Sequence, residues 1–163
     1  MTDDRLEYEP IGTIHTPFES PEEMPIQPAG ADADGTVELA PAYTEGLQDL
    51  DRFSHCLLLY HFHESNDEVA MTVEPFLDDV SRGLFATRAP QRPNPIGLSV
   101  VEIDAIDENE LTVTGVDVVD GTPLLDVKPF VPQFDVPADD VETGWLDAST
   151  SAIESTRADD RFV

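Results

Sequence analysis

Short runs of alternating apolar and polar residues, cut repeatedly by proline and glycine, set the character of this chain. The strongest is SHCLLLYHFH at residues 54–63. Side chains alternate across a strand, so Cys56, Leu58, Tyr60 and Phe62 share one face and His55, Leu57, Leu59, His61 and His63 the other. Residues 96–106 and 111–119 are β-branched runs joined by Asp107-Glu108-Asn109-Glu110, which predicts a hairpin. Shorter strands are predicted over residues 8–16, 35–40, 82–87 and 124–128. Helix is scarce: one short helix is predicted at residues 48–52 and another around Pro75, inside the polar stretch 64–80. Residues 17–34, with Pro21, Pro25, Pro28 and Gly30, read as an extended loop.

Six or seven short strands at close spacing with few helices predict a mainly β domain, a small barrel or sandwich. A doubly wound nucleotide-binding fold is not expected. Regular amphipathic helices are missing between the strands, and no G-x-G-x-x-G follows the first one. At 163 residues the chain has the length of one domain, placed at residues 1–136, with an acidic Ser/Thr-rich tail at 137–163. The longest apolar stretch falls far short of the ~20 residues that span a bilayer. No positive N-terminal patch precedes an apolar run, so a soluble cytoplasmic protein without a membrane partner is expected. Cys56 is the sole cysteine, which excludes an intrachain disulfide and a Cys-rich zinc site. Its place among leucines reads as a buried, inert thiol.

Charge changes the picture. Acidic residues number 35 against 8 basic ones, Lys128 is the only lysine, and the net charge is −27. The acids are dispersed, and the apolar content of 40% is that of a globular protein, so disorder is not implied. A lysine-poor acidic surface over an ordinary core fits a multimolar-salt cytoplasm, where the Debye length is ~3 Å or less and self-repulsion is screened. In such salt the repulsion of a polyanion is screened, and so is the gain from counterion release. Acidity therefore neither supports nor excludes a nucleic-acid substrate.

Two stretches carry more special residues than ordinary connections need. Pro90, Pro93 and Pro95 stiffen the stretch GLFATRAPQRPNPIGLS from Gly83, and Arg82, Arg88 and Arg92 set three of the eight cations within eleven residues. Such a loop suits recognition of an anion or carboxylate; alternatively its arginines pair with the chain's own acids. In VDGTPLLDVKPFVP from Val119, Asp120-Gly121 makes a tight turn whose carboxylate and N–H groups can grip a ligand, and Asp126 and Lys128 project to one side of a strand. A plain turn with a surface ion pair is the simpler reading of the same residues.

Together, GLFATRAPQRPNPIGLSVV and DVVDGTPLLDVKPFVP resemble the TrmO (YaeB or TsaA-like) family. Its members methylate N6 of threonylcarbamoyladenosine at position 37 of tRNA, beside the anticodon. The resemblance runs from about Ile11 to Pro132, with Ile11-Gly12-Thr13-Ile14-His15-Thr16-Pro17-Phe18 as the opening strand and Phe53-Ser54-His55 and Phe62-His63 on the central one. It implies a small non-Rossmann β-barrel, acting as a homodimer, with S-adenosylmethionine as cofactor and tRNA as substrate. By that resemblance the cofactor is held by Pro25, Ile26 and Gln27 (the family's P-R-Q), by Phe62, His63, Arg88 and Leu98, and by Asp120, Gly121, Thr122 and Pro123. Three departures stand out: Ile26 replaces an arginine, Phe130 stands where a tyrosine is common, and an acidic tail follows in place of the C-terminal domain of many bacterial members.

Within the resemblance, His63 and Asp126 are the candidate bases for the acceptor nitrogen, whose lone pair the carbamoyl group withdraws. Arg92 is the candidate clamp for the substrate's threonyl carboxylate, with Asn94 and Lys128 as further substrate contacts. Phe85, Phe62 and Tyr60 are candidate flat partners for bases, a task that competes with core packing. Two other readings stay open. One is a metal-dependent barrel using His55, His61 and His63, although the primary reading assigns no metal. The other is a non-catalytic module that only binds S-adenosylmethionine.

Overall fold

A computed structural model describes residues 4–20, 22, 33–65, 68–75 and 79–146, and the account below concerns those residues. Six strands close into an antiparallel barrel: β1 (Gly12–His15), β2 (Asp34–Leu39), β3 (His55–His61), β6 (Ile96–Asp107), β7 (Glu110–Thr114) and β8 (Thr122–Pro129). Their order around the barrel is β1-β2-β7-β6-β3-β8, and β8 pairs with β1 to complete the circle. A separate two-stranded ribbon joins β4 (Thr72–Val73) to β5 (Arg82–Gly83). The expected mainly β barrel is thus the observed one. Closure removes the unpaired edges that an open sheet would expose.

The alternation read in β3 sorts inside from outside. Cys56, Leu58 and Tyr60 point into the core beside Ile14, Val37, Val101, Leu111, Val113 and Leu124. His55, Leu57 and Leu59 are partly exposed and His61 is exposed, so the histidine face is the outer wall. Burial pushes the Cys56 thiol up to about 12, which keeps it protonated and inert.

The long strand β6 does two jobs. Its first half pairs with β3, from His61↔Ile96 to His55↔Glu102, and its second half with β7, ending at Asp107↔Glu110. A register shift between Ile103 and Ala105 bends it at the corner, as a bulge does. The hairpin predicted at 107–110 is present, turning through Glu108 in the left-handed region at φ 53°.

Several boundaries differ from expectation, each for a local reason. The first strand starts only at Gly12, after Pro10. Residues 48–52 are not one helix: 3-10 turns run over Pro41–Leu47 and Leu50–Arg52, and left-handed Asp49, at φ 70°, separates them. No helix forms at Glu74 or Pro75, and residues 76–78 lie outside the described set. The strand expected over 82–87 shortens to β5 and gives way to a 3-10 turn, Leu84–Ala86. The run at 111–119 stops at Thr114, and Gly115, at φ 99°, turns the chain across the barrel end. Past β8, a one-turn helix α1 (Pro132–Asp135) and a 3-10 turn Gly144–Leu146 follow. Trp145 Nε1 donates to the Ala86 carbonyl at 2.8 Å, so this part of the expected tail packs on the arginine loop.

Candidate active site

The C-terminal ends of β1 and β3 and the N-terminal ends of β6 and β8 meet at one end of the barrel. There Ile14 pairs with Thr122, Tyr60 with Leu124 and His61 with Ile96. The Phe62 N–H donates to the Pro95 carbonyl at 2.8 Å, tying the proline-stiffened loop to the end of β3. Residues 115–121 cross the same end. The Gly115 N–H donates to Ala33 O at 3.0 Å, Thr16 Oγ1 donates to Val118 O at 2.8 Å, and Val116, Val118 and Val119 are buried. The apolar residues of this crossing stopper the core and leave Asp117 among them.

Asp117 ends a buried chain of hydroxyls. Ser99 Oγ donates to Asp117 Oδ1 at 2.5 Å, and Tyr60 Oη lies 2.7 Å from Ser99 Oγ. The serine has one proton and gives it to the carboxylate, so the phenol must donate to the serine. Tyr60 and Ser99 are almost fully buried, whereas Asp117 keeps part of its surface open. Burial pushes the Asp117 carboxyl up to about 7; the Ser99 hydrogen bond, a backbone hydrogen bond and the Arg88 guanidinium pull the other way. Burial first, then the Asp117 charge, raises the Tyr60 phenol above its ordinary range, opposed by Ser99 and Arg88. Arg88, exposed on the loop, thus stands within electrostatic reach of both. The arginine loop and the segment leading to Asp120 therefore converge, on Ser99, Asp117 and Arg88.

A carboxyl held above its unfolded value of 3.8 favours folding most below that value, and the benefit is lost as pH rises through about 7. Asp117→Asn should therefore melt above the parent at pH 8, with the gain vanishing below pH 4. Calorimetric scans across that range check the sign.

The remaining sequence-predicted residues divide into two groups. At the barrel end, Phe62 is partly buried and meets Tyr60 edge-on, with centroids 5.5 Å apart. His63 Nε2 lies 3.5 Å from Glu64 Oε1, and Asn94 is exposed. Asp120 Oδ1 accepts the Thr16 N–H at 2.9 Å and sits 3.7 Å from His15 Nδ1. The N–H groups of this turn are not open to a ligand as expected: Asp120 N donates to Phe18 O, Gly121 N to Ile14 O and Thr122 N to Val119 O. Gly121 thereby ties the turn to β1, Asp120 ties it to the stretch after β1 and Thr122 closes it on itself, with Gly121 in the left-handed region at φ 85° and Thr122 buried. Pro123 pairs with Thr13.

On the outer wall, Leu98 pairs with Leu59 and Leu59 with Asp126, whose Oδ2 lies 3.0 Å from Lys128 Nζ. Asp126 thus belongs to the outer wall beside Lys128, whereas His63 follows the end of β3 at His61. Arg92 turns inward on its own loop. Its Nη1 donates to Thr87 O at 2.9 Å and Ala89 O at 3.0 Å, and its guanidinium lies 5.8 Å from the Phe85 ring centroid. Of the three aromatic candidates, Tyr60 is core, Phe62 packs against it and Phe85 stands exposed. Pro25, Ile26 and Gln27 lie outside the described residues. Among the described residues no group of three or more His, Cys, Asp or Glu could hold a metal ion. His55, His61 and His63 belong to the solvent side of β3 and its exit, so the metal-barrel alternative has no built site there.

Asp117 went unnoticed in the sequence because it looks like a surface position in a β-branched strand. The readable signal was its partner: Ser99 alternates in phase with Gly97 and Val101 on an otherwise apolar inner face.

Fold and site define a small closed-barrel domain with a buried Tyr60–Ser99–Asp117 chain near one end, outside the doubly wound nucleotide-binding class. The chain belongs to the tRNA-methyltransferase O N-terminal domain family, whose model matches residues 13–136. It is 49% identical over 156 residues to a probable S-adenosyl-L-methionine-binding protein of Pyrococcus abyssi, covering 95% of this chain and 84% of that protein. The crystal structure of TrmO from Pseudomonas aeruginosa matches with a TM-score of 0.73 and 38% identity, over 88% of this chain. The chain spans 63% of the length of that TrmO chain. A tRNA (adenine(37)-N6)-methyltransferase of Mus musculus is 38% identical over 93 residues, 56% of this chain and 22% of the mouse protein.

Proposed function

We propose that this chain transfers a methyl group from S-adenosylmethionine to N6 of threonylcarbamoyladenosine at position 37 of tRNA. The observation that carries the reading is the meeting of the arginine loop and the segment 117–123 at one barrel end, in a member of this family. The residues there suit the cofactor. Arg88 offers a guanidinium for a carboxylate, Phe62 a partly open ring, and Asp120 negative charge for a cationic sulfur. The bound cofactor would supply the methyl group; the protein's task is to hold the acceptor nitrogen in line at ~3–3.5 Å, for which no catalytic triad is needed. Arg88, Phe62, His63, Leu98 and residues 120–123, with Pro25, Ile26 and Gln27, are the proposed cofactor contacts. Arg92, Asn94 and Lys128 are the proposed substrate contacts, and His63 and Asp126 stand as candidate bases.

The outer wall supports the proposed homodimer. Ile96 and Leu98 are exposed beside partly exposed Leu57, Leu59 and Val100 on a chain of net charge −27, an apolar strip that a second copy would cover. The same charge supports a salty cytoplasm as the working environment. Melting scans from dilute buffer to molar potassium chloride should show the midpoint rising steeply with salt; a flat response would remove that inference.

The deciding experiment is mass spectrometry of nucleosides from tRNA incubated with protein and cofactor. One added methyl on threonylcarbamoyladenosine is the expected product. Cofactor binding without any methylated nucleoside would favour a binding module instead.

A further inference from the structure

We infer that Asp117 is the group that accepts the proton of the acceptor nitrogen during methyl transfer, oriented for that task by Ser99 and Tyr60. The inference rests on the activity proposed above and assigns a catalytic residue to it. In the step, the N6–H bond breaks and its proton passes to the Asp117 carboxylate. The electron pair left on nitrogen forms the new bond to the methyl carbon, and the sulfur that releases the methyl keeps the pair of the broken S–C bond. Charge and atoms balance, because the positive sulfur becomes neutral and the carboxylate becomes a neutral acid.

Geometry supports Asp117 over the two bases read from sequence. His63 stands beside Glu64 past the end of β3, and Asp126 is ion-paired to Lys128 on the outer wall. Asp117 instead opens the stretch that leads into Asp120-Gly121-Thr122-Pro123, lies across the barrel end, and stays partly open to solvent. Its Oδ1 is fixed by a string of donors running one way, Tyr60 to Ser99 to Asp117, which holds the carboxylate in one orientation. The groups facing it are Ser99 from β6, Tyr60 beyond it on β3, and Arg88 from the loop. Desolvation makes the carboxylate a better proton acceptor, and the Ser99 hydrogen bond, a backbone hydrogen bond and, least of the three, Arg88 favour its ionised form. A base works best when its proton affinity matches the working pH.

The test compares Asp117→Asn and Ser99→Ala with the parent protein. Asp117→Asn keeps shape and an acceptor for Ser99, and should lower turnover on tRNA by about a hundredfold or more while S-adenosylmethionine affinity changes by less than about threefold. Carboxyl NMR of the cofactor-free parent should show one titration near pH 7 that Asp117→Asn abolishes. Ser99→Ala removes an interaction that lowers the carboxyl, so that titration and the acid limb of the kcat profile should both move to higher pH. Turnover of Asp117→Asn within about threefold of the parent, a parallel fall in cofactor affinity, or an unmoved acid limb in Ser99→Ala would each overturn the assignment. A parent protein that methylates no tRNA defeats the activity and the base together; an active parent with an indifferent Asp117→Asn defeats the base alone.

Discussion

Gly97→Ala is expected to lower stability by about 3 kcal/mol, at the upper end for overpacking, and the melting midpoint by about 10 °C. A Cβ on Gly97 would stand 2.2 Å from Tyr60 Cε2, 2.7 Å from Tyr60 Cζ and 2.7 Å from Phe62 Cζ. Tyr60, the nearer ring, is enclosed by the core, and Phe62 can move only by leaving its packing against Tyr60. Tyr60 is almost fully buried and bonded to Ser99, and Phe62 meets it edge-on and packs on the core. The strain therefore passes into Phe62, a proposed cofactor contact, as well as Tyr60, and cofactor affinity should fall with stability. Gly83→Ala is the control, since a Cβ there meets nothing within 4 Å and should cost less than about 0.5 kcal/mol. Calorimetry and cofactor titration on both variants settle it; a Gly97→Ala protein that melts like its parent would mean that β3 and β6 separate at little cost.

The second large effect belongs to Arg92. Its Nη1 bridges the carbonyls of Thr87 and Ala89, the residues that flank Arg88, so the guanidinium holds the backbone that aims Arg88. Lysine has donors for both carbonyls but no planar guanidinium to lie over Phe85 and fix the direction of those bonds. Arg92→Lys should lower turnover about a hundredfold and weaken cofactor binding about tenfold, while the barrel melts within about 1 kcal/mol of the parent. The carboxylate-clamp role predicts a different split: turnover on tRNA falls and cofactor affinity holds. Isothermal titration beside tRNA kinetics separates them, because only loop bracing couples Arg92 to the cofactor.

Most of the barrel was legible in the chain. Period-two alternation marked β3, β6 and the hairpin into β7, because one face of each must be apolar to fill the interior and a slip by one residue would reverse every side chain. What failed were ends and turns. Residues 48–52 carried no sign that Asp49 would take a left-handed backbone, and the β-branched run beyond Thr114 concealed a turn at Gly115. The site was legible as two motifs and a resemblance. It was not legible that the N–H groups of the Asp120 turn would be spent on main-chain carbonyls, or that Arg92 would bond its own loop.

Local pattern sufficed for the strands, the inert buried cysteine, the stiff arginine loop and the family, because each depends on residues that are neighbours along the chain. Which polar groups share one small volume depended on closure. Ser99 and Asp117 are 18 residues apart and Tyr60 and Ser99 are 39 apart, and the pairing of β3 with β6 and the crossing of residues 115–121 bring them within hydrogen-bond reach. The proton affinity of Asp117 follows from that enclosure, since desolvation is set by everything packed around a group and not by the residues beside it in sequence.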